Sequence, residues 1–447
     1  MKSNTNESAV FRAFACSNAD VRYWWSTTGR DIANMMAVAA YPEETQHSFL
    51  SYYHDAICPL LGSAPNATDP NHSKSWTWDG STHEYSFEFK KGEANRPEVR
   101  FVLDVSRLRP VDAANPLTPL PSDVLIETFA SRTPGFDNTW YRALKRSFDC
   151  SHLPAEEQRR LVAEAGHMSP ILVGFDIARS IPAPATLPIV GKVYFLPCFA
   201  AAAKKITRFE SICAAIRALP GIDERPNILL ALSAVEDYLA TKPTDWANGA
   251  RFLATDLVSP AKSRLKVYLR CPLTNFDDIW DFFTLGGRIT GLQDDKEKYR
   301  DFIDLLGGVD SSDSSDRMET ANRRKLTTMY FSLDDRYPIP SPKVAFCARN
   351  FAKNDAVVAQ GLDAWMTKYG WTGELSSVEG RVASVFGHRT LDANAGIFTF
   401  IGLARKDLSK RDLSIQTYMC PELYSSPRRL FNFAGYGGAG GNSAGNL

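Results

Sequence analysis

No run of this chain approaches the roughly 18 consecutive apolar residues that a membrane-spanning helix needs. The opening segment, Met1 to Ser8, is polar and lacks the basic-then-apolar pattern of a secretory leader. Neither sign of charge is in surplus, with 51 Lys and Arg against 51 Asp and Glu. That balance argues against a general binder of nucleic acid or membrane surfaces and requires any basic site to be local. The seven histidines are scattered without a His-Glu-x-x-His pattern, and none of the 8 cysteines stands in Cys-x-x-Cys spacing. Neither a zinc centre nor a thiol redox motif is indicated. Several cysteines sit inside apolar runs, as free thiols of a reducing compartment do. The expectation is a cytoplasmic protein with no nucleic-acid, membrane or metal partner; a homodimer is compatible with the sequence, which specifies none.

What the chain does contain is alternation. In Arg264-Leu265-Lys266-Val267-Tyr268-Leu269 a β-strand would put Arg264, Lys266 and Tyr268 on one face and three aliphatics on the other. Gly191-Lys192-Val193-Tyr194-Phe195 repeats the pattern upstream; Lys343-Val344-Ala345-Phe346 and Ser414-Ile415-Gln416-Thr417-Tyr418 repeat it downstream. These copies recur about every 75 residues, the mark of a repeated supersecondary unit. A more diverged copy is Pro97-Glu98-Val99-Arg100-Phe101. Each is preceded by a second alternating run, from Tyr85, Ile171, Phe252, Thr328 and Ile397, so each reads as the second arm of a hairpin.

Helical stretches are expected between the hairpins, at 121–130, 155–166, 207–218, 226–240, 277–305, 356–369 and 376–386, after two helices over 20–40 and 43–61. Thr207-x-x-Glu210 and Ser376-x-x-Glu379 have the spacing of capping boxes. The repeating order is helices, then hairpin, five times. Five hairpins supply ten antiparallel strands, and closing such a sheet removes its exposed edges. The predicted fold is therefore α+β: a ten-stranded antiparallel barrel ringed by helices, in one domain over 11–430. Residues 1–10 are expected to be disordered. The tail 431–447, with Gly435-Tyr436-Gly437-Gly438, follows no strand and reads as a flexible Gly-rich terminus. Asp310 to Asp316 reads as a solvated acidic loop.

On an open sheet the cationic face would simply be solvated; inside a barrel it would be an anion site. The inward set is then Glu98, Arg100, Lys192, Tyr194, Arg264, Lys266, Tyr268, Lys343 and Tyr418. Enclosed like charges are unfavourable unless an anion neutralises them, and a diphosphate suits lysines and guanidinium forks. Tyrosine faces beside it would shelter a carbocation, each attracting it by about 0.5–2 kcal/mol. A diphosphate leaving group and a sheltered cation together describe prenyl transfer. Glu98, the one carboxylate of the set, is the candidate general base, with a plain ion pair to Arg100 as the alternative.

At this point the sequence resembles the fungal aromatic prenyltransferases of the dimethylallyltryptophan synthase type. The resemblance runs through Trp24-Trp25, Thr28-Gly29, Leu60-Leu61-Gly62-Ser63-Ala64-Pro65, Glu84-Tyr85-Ser86, Pro97-Glu98-Val99-Arg100, Gly174-Phe175-Asp176, Lys192-Val193-Tyr194, Arg264-Leu265-Lys266-Val267-Tyr268 and Tyr418-Met419-Cys420-Pro421. It implies the ABBA barrel and transfer of a prenyl group, dimethylallyl first, from its diphosphate to an indole or other aromatic acceptor in secondary metabolism. The implied reaction is a metal-independent Friedel–Crafts alkylation needing no cofactor. The family's diphosphate cations fall on Arg100, Lys192, Arg264, Lys266 and Lys343, its tyrosine shield on Tyr194, Tyr268 and Tyr418, and its indole-contacting glutamate on Glu98. A lysine that assists deprotonation in some relatives has no counterpart here; Arg179 stands nearest. Ala345 and Phe400 replace tyrosines usual in the family, which leaves the donor chain length open, as are acceptor and regiochemistry.

One motif competes. Asp277-Asp278-Ile279-Trp280-Asp281 reads D-D-x-x-D, the spacing that holds magnesium over a diphosphate in other isoprenoid enzymes. Acids in the first turn of a helix are also favoured by its dipole alone. A magnesium-dependent terpenoid enzyme and a non-catalytic barrel binding an anionic lipid or aromatic metabolite are the two alternatives.

Overall fold

The computed structural model describes residues 11–428 except 12–13, 15, 17, 66–74, 76, 95, 105–114, 309–326, 372–376, 406, 411 and 426–427. The expectations for residues 1–10, for the Asp310–Asp316 loop and for the tail 431–447 lie outside the described residues. The described residues form ten strands: β1 His83–Lys90, β2 Glu98–Asp104, β3 Ile171–Ile177, β4 Ile189–Phe195, β5 Ala250–Asp256, β6 Leu265–Cys271, β7 Thr327–Leu333, β8 Ser341–Phe346, β9 Phe398–Arg405 and β10 Leu413–Met419. Every neighbouring pair is antiparallel and β10 closes on β1, so the sheet is a closed barrel in chain order.

Alternation divides each strand between two environments. Outward residues such as Val99, Val193, Leu253, Val267, Phe331, Leu403 and Ile415 are completely buried under the surrounding helices. Burying each aliphatic or aromatic side chain contributes about 1.5–3 kcal/mol. Aromatic contacts fix where helices dock. Phe129 of helix Leu120–Ala130 meets Phe175 of β3 edge-on at 5.5 Å, and Phe148 of helix Thr139–Phe148 stacks on Phe195 of β4 at 5.5 Å. No helix among the described residues is long and apolar enough to cross a membrane.

The helices depart from expectation in identifiable ways. The run expected over 20–40 is interrupted by a π-helical turn at Trp25–Gly29, where the hydroxyls of Thr27 and Thr28 donate back to the carbonyls of Tyr23 (2.7 Å) and Trp24 (2.9 Å). The helix over 43–61 has a matching π turn at Tyr53–Ile57, and Tyr53 donates to the Thr28 hydroxyl at 2.7 Å, tying the two irregular turns together. The stretch 277–305 is two helices, Phe276–Phe283 and Lys296–Gly307, because Gly286, Gly287 and Gly291 take φ of 67°, 82° and 76° between them. Helices Thr139–Phe148 and Cys198–Lys204 were not anticipated. The Thr207/Glu210 capping box forms, whereas the later helix is capped by Ser377 through Gly380.

Candidate active site

Register stacks the lumen in levels. At one end Arg100 lies opposite Asp176, Lys192 opposite Asp256, and Glu88 opposite Gln416. At mid-height come Tyr194, Tyr268, Tyr330 and Tyr418, with Tyr268 directly opposite Tyr330 and the two ring centroids 5.0 Å apart. Beyond them Phe252, Thr328, Ala345, Phe400, Arg251 and Arg270 surround a chamber of about 180 Å³.

Of the five expected cations, Arg100, Lys192 and Lys266 line one small cavity at this end, which Arg264 and Lys343 do not line. Arg100 pairs with Glu98 (2.6 Å), Glu88 and Asp176, and Lys192 pairs with Asp176. Arg264, one residue before β6, and Lys266 share Asp256 at 3.2 and 3.4 Å. Lys343 reaches Gln416 and the Tyr418 hydroxyl (3.2 Å), its ammonium 5.4 Å from the Tyr330 ring and 5.2 Å from the Tyr418 ring. Its aliphatic stem lies where a side chain at position 402 would be, so Gly402, which stands opposite Ala345 on β9, leaves room for it.

The carboxylates Glu88, Asp176 and Asp256 were not read from the sequence as part of the site, although Asp176 and Asp256 occupy equivalent places before their cationic strands. They hold the cations in position and reduce their mutual repulsion. Burial opposes ionisation of Asp256, but Lys266, Lys192 and Arg264 together bring it down to about 2. Burial lowers Lys266 to about 7, with Asp256 working against that and Arg264 and Lys192 adding to it. Burial raises Tyr330 to about 12, so its phenol stays neutral at ordinary pH.

Glu98 has a different place from the one expected of a general base. Its carboxylate is tied to Lys90 and Arg100 near the barrel rim, about a third exposed, and it does not line the aromatic chamber. The ion-pair alternative describes it. The carboxylate lining both the anion end and the aromatic chamber is Glu84 of β1, and among the described residues around the chamber it is the sole acid. The signal was available: Glu84, Ser86 and Glu88 alternate along β1, and Ser86 pairs directly with Arg100. Arg179 lies outside the lumen, donating to the carbonyls of Ala39 (2.8 Å) and Pro97 (2.9 Å).

The D-D-x-x-D acids lie on the outer helix Phe276–Phe283, with Asn275 as N-cap. Asp277 pairs with Lys296 at 2.8 Å and Arg300 at 3.2 Å, and Asp281 with Lys242 at 3.2 Å and the Tyr238 hydroxyl at 2.9 Å. None of the three lines the lumen.

Comparison with known proteins agrees with this geometry. The chain matches the family model described as tryptophan dimethylallyltransferase over residues 20–379. It is 47% identical over 413 residues to prenyltransferase phnF of Penicillium herquei, covering 91% of this chain and 92% of that protein. It is also 47% identical over 424 residues to DMATS-type prenyltransferase mfmD of Annulohypoxylon moriforme, covering 93% and 95%. Among solved structures, NotF in complex with brevianamide F and DMSPP superposes with a TM-score of 0.75 at 19% identity, covering 93% of this chain and 98% of that one.

Proposed function

The chain belongs to the tryptophan dimethylallyltransferase family and is an aromatic prenyltransferase, and we propose that its lumen carries out the transfer as follows. Arg100, Lys192, Arg264, Lys266 and Lys343 hold the diphosphate of the donor, a dimethylallyl diphosphate in the first instance. The allylic C–O bond breaks with its electron pair leaving on the diphosphate, whose new charge the cations stabilise. The resulting allyl cation lies among Tyr194, Tyr268, Tyr330 and Tyr418, whose ring faces attract it and exclude water. A carbon of the acceptor ring attacks the cation's terminal carbon, and the ring then loses a proton and becomes aromatic again. Glu84 hydrogen-bonds the acceptor's N–H or O–H as the bond forms and takes the one proton that is lost overall, the role the resemblance gave to Glu98.

The observation that carries this reading is the stacking of a cation level and a phenol level along one lumen, with Glu84 reaching both. The proposed steps call on no metal, the side-chain cations supplying the positive charge that the leaving group needs. Incubation with dimethylallyl diphosphate and a panel of indoles and hydroxylated aromatics should release diphosphate and give a product heavier by one prenyl group. Turnover should be unchanged by EDTA. Complete loss in EDTA, restored by magnesium, would return attention to Asp277, Asp278 and Asp281. Geranyl diphosphate belongs in the same panel, because Ala345 and Thr328, paired across β7 and β8, leave the chamber wall low.

A pH dependence follows from Lys266. Above about pH 7 its amine is neutral in the free protein, whereas a bound diphosphate favours the ammonium. Lys266 should therefore take up a proton on binding, and pyrophosphate affinity relative to Lys266→Arg, whose cation does not titrate here while the ligand's own ionisation is common to both, should fall as pH rises, by up to about tenfold per unit. Calorimetry in buffers of differing ionisation enthalpy measures that uptake. The same pH dependence and the same proton exchange in the wild-type protein and Lys266→Arg from about pH 6 to 9 would mean that Lys266 is charged throughout.

A further inference from the structure

The two ends of the lumen treat positive charge differently. At the diphosphate end each of Arg100, Lys192, Arg264 and Lys266 has a carboxylate partner. At the opposite end stand Arg251 and Arg270, with Arg208 beyond them, and among the described residues none of the three has a carboxylate partner.

Their positions are built in. Arg270 is the next lumen-facing residue after Tyr268 on β6. Arg251 reaches the same chamber through a β-bulge: Ala250 pairs with Leu269 and Phe252 with Tyr268, so β5 holds one residue more than β6 between these pairs. Arg251 and Phe252, though adjacent in sequence, both line the chamber, with the guanidinium 5.8 Å from the Phe252 ring. Arg208 opens helix Arg208–Arg217, where the helix dipole disfavours a cation.

Arg270 also lines an outer groove of about 480 Å³ that contains Arg208 and is walled by Ala201, Ile206 and Trp246. Chamber and groove therefore meet at Arg270. The groove's two acids do not neutralise the arginines: Glu164 is paired with Arg160, and Asp245 forms no ion pair with any of the three. Burial, then the charges of Arg270 and Arg208, bring Arg251 down to about 9; burial and Arg208 lower Arg270 as well. Enclosed, mutually repelling guanidiniums without a counter-ion are the arrangement an anionic ligand relieves.

We propose that Arg251, Arg270 and Arg208 form a second anion site, which binds an acidic group of the aromatic acceptor at the end remote from the carbon that is prenylated. This rests on the lumen being the prenyl-transfer site. The ligand class is an aromatic anion, either a ring carboxylate or an acidic phenol ionised at neutral pH. A zwitterionic amino acid fits poorly, because its ammonium would face three guanidiniums and Glu84 is the sole chamber acid among the described residues. The apolar groove takes whatever part of the acceptor extends past the arginines.

Four probes test this by direct binding: a dihydroxynaphthoic acid, its methyl ester, an acidic polyhydroxyanthraquinone lacking a carboxyl group, and L-tryptophan. The naphthoic acid, the anthraquinone or both should bind at least about tenfold more tightly than the ester and L-tryptophan, with affinity falling as salt rises. Whichever of the two prevails identifies carboxylate or phenolate as the group recognised. In the Arg208→Gln, Arg270→Gln double variant the preference should collapse to within about threefold, and Arg270→Lys should restore part of it. Pyrophosphate affinity, measured on the same samples, reports on the fold and on the donor site. Neither anion exceeding the ester, L-tryptophan binding best, no binding by either anion, or a preference that survives the double variant would each overturn the proposal. If pyrophosphate binds normally in such a case, the prenyl-transfer reading stands without it. If pyrophosphate fails to bind while the acid preference holds, the donor site is what has been misread.

Discussion

Replacement of Glu84 by glutamine is expected to lower kcat for prenyl transfer by about 10²–10⁴-fold, the range set by loss of a positioned general base. Pyrophosphate affinity should change far less than kcat, because Arg100, Lys192, Arg264 and Lys266 find their carboxylate partners in Glu88, Glu98, Asp176 and Asp256. The substitution keeps the shape of the side chain and removes its ability to take a proton, so the loss should fall on kcat rather than on KM for the acceptor. Glu98→Gln is the informative partner. Its carboxylate is shared between Lys90 and Arg100, so its replacement should alter donor KM by less than about tenfold, in line with a partly exposed ion pair. If Glu98→Gln proves the more damaging to kcat and Glu84→Gln the milder, the general base is Glu98 after all and the chamber geometry has been misassigned.

Arg100→Gln should produce the largest combined loss of binding and stability. Arg100 faces Glu88, Glu98 and Asp176 together, and the Glu88 side chain is completely buried. Removing the guanidinium leaves buried negative charge without its partner, which destabilises a folded protein by about 3–5 kcal/mol. It also removes one of the five cations proposed to hold the diphosphate, and affinity for pyrophosphate should fall by about a hundredfold, as for a truncated buried charge pair. A second substitution separates the two effects. Glu88→Gln in the Arg100→Gln background should recover much of the lost stability by removing the stranded carboxylate, without returning the affinity. Thermal unfolding and pyrophosphate titration of the single and double variants measure both. Recovery of affinity together with stability would mean that Arg100 serves the fold and not the anion.

The barrel was legible because its signal is local. An alternating strand declares both faces within six residues, and the five copies beginning near Glu98, Gly191, Arg264, Lys343 and Ser414 declared them in the same phase. The cations followed from the same reading, since Lys192, Lys266 and Lys343 each lie on the face opposite buried apolar residues such as Val193, Val267 and Val344. Their carboxylate partners were harder to see. Asp176 and Asp256 lie on the first arms of their hairpins, and pairing with Arg100 or Lys266 depends on cross-strand register that no single strand encodes. Glu84 is hidden for the same reason: two acids on neighbouring strands look equivalent until the pairing of Ser86 with Arg100 puts one at the chamber and the other at the rim. Arg251 was beyond any period-two reading, because the bulge that turns it inward breaks the alternation.

By itself, then, the amino-acid order determined that this chain forms a closed antiparallel barrel with a cationic, tyrosine-rich lining, because side-chain phase along a strand is a property of adjacent residues. Only the tertiary structure decided which acid lines the chamber and which arginines lack a carboxylate partner among the described residues. Those are matters of height along the barrel axis and of one bulged residue, and both are set between strands by hydrogen-bonded register rather than within them.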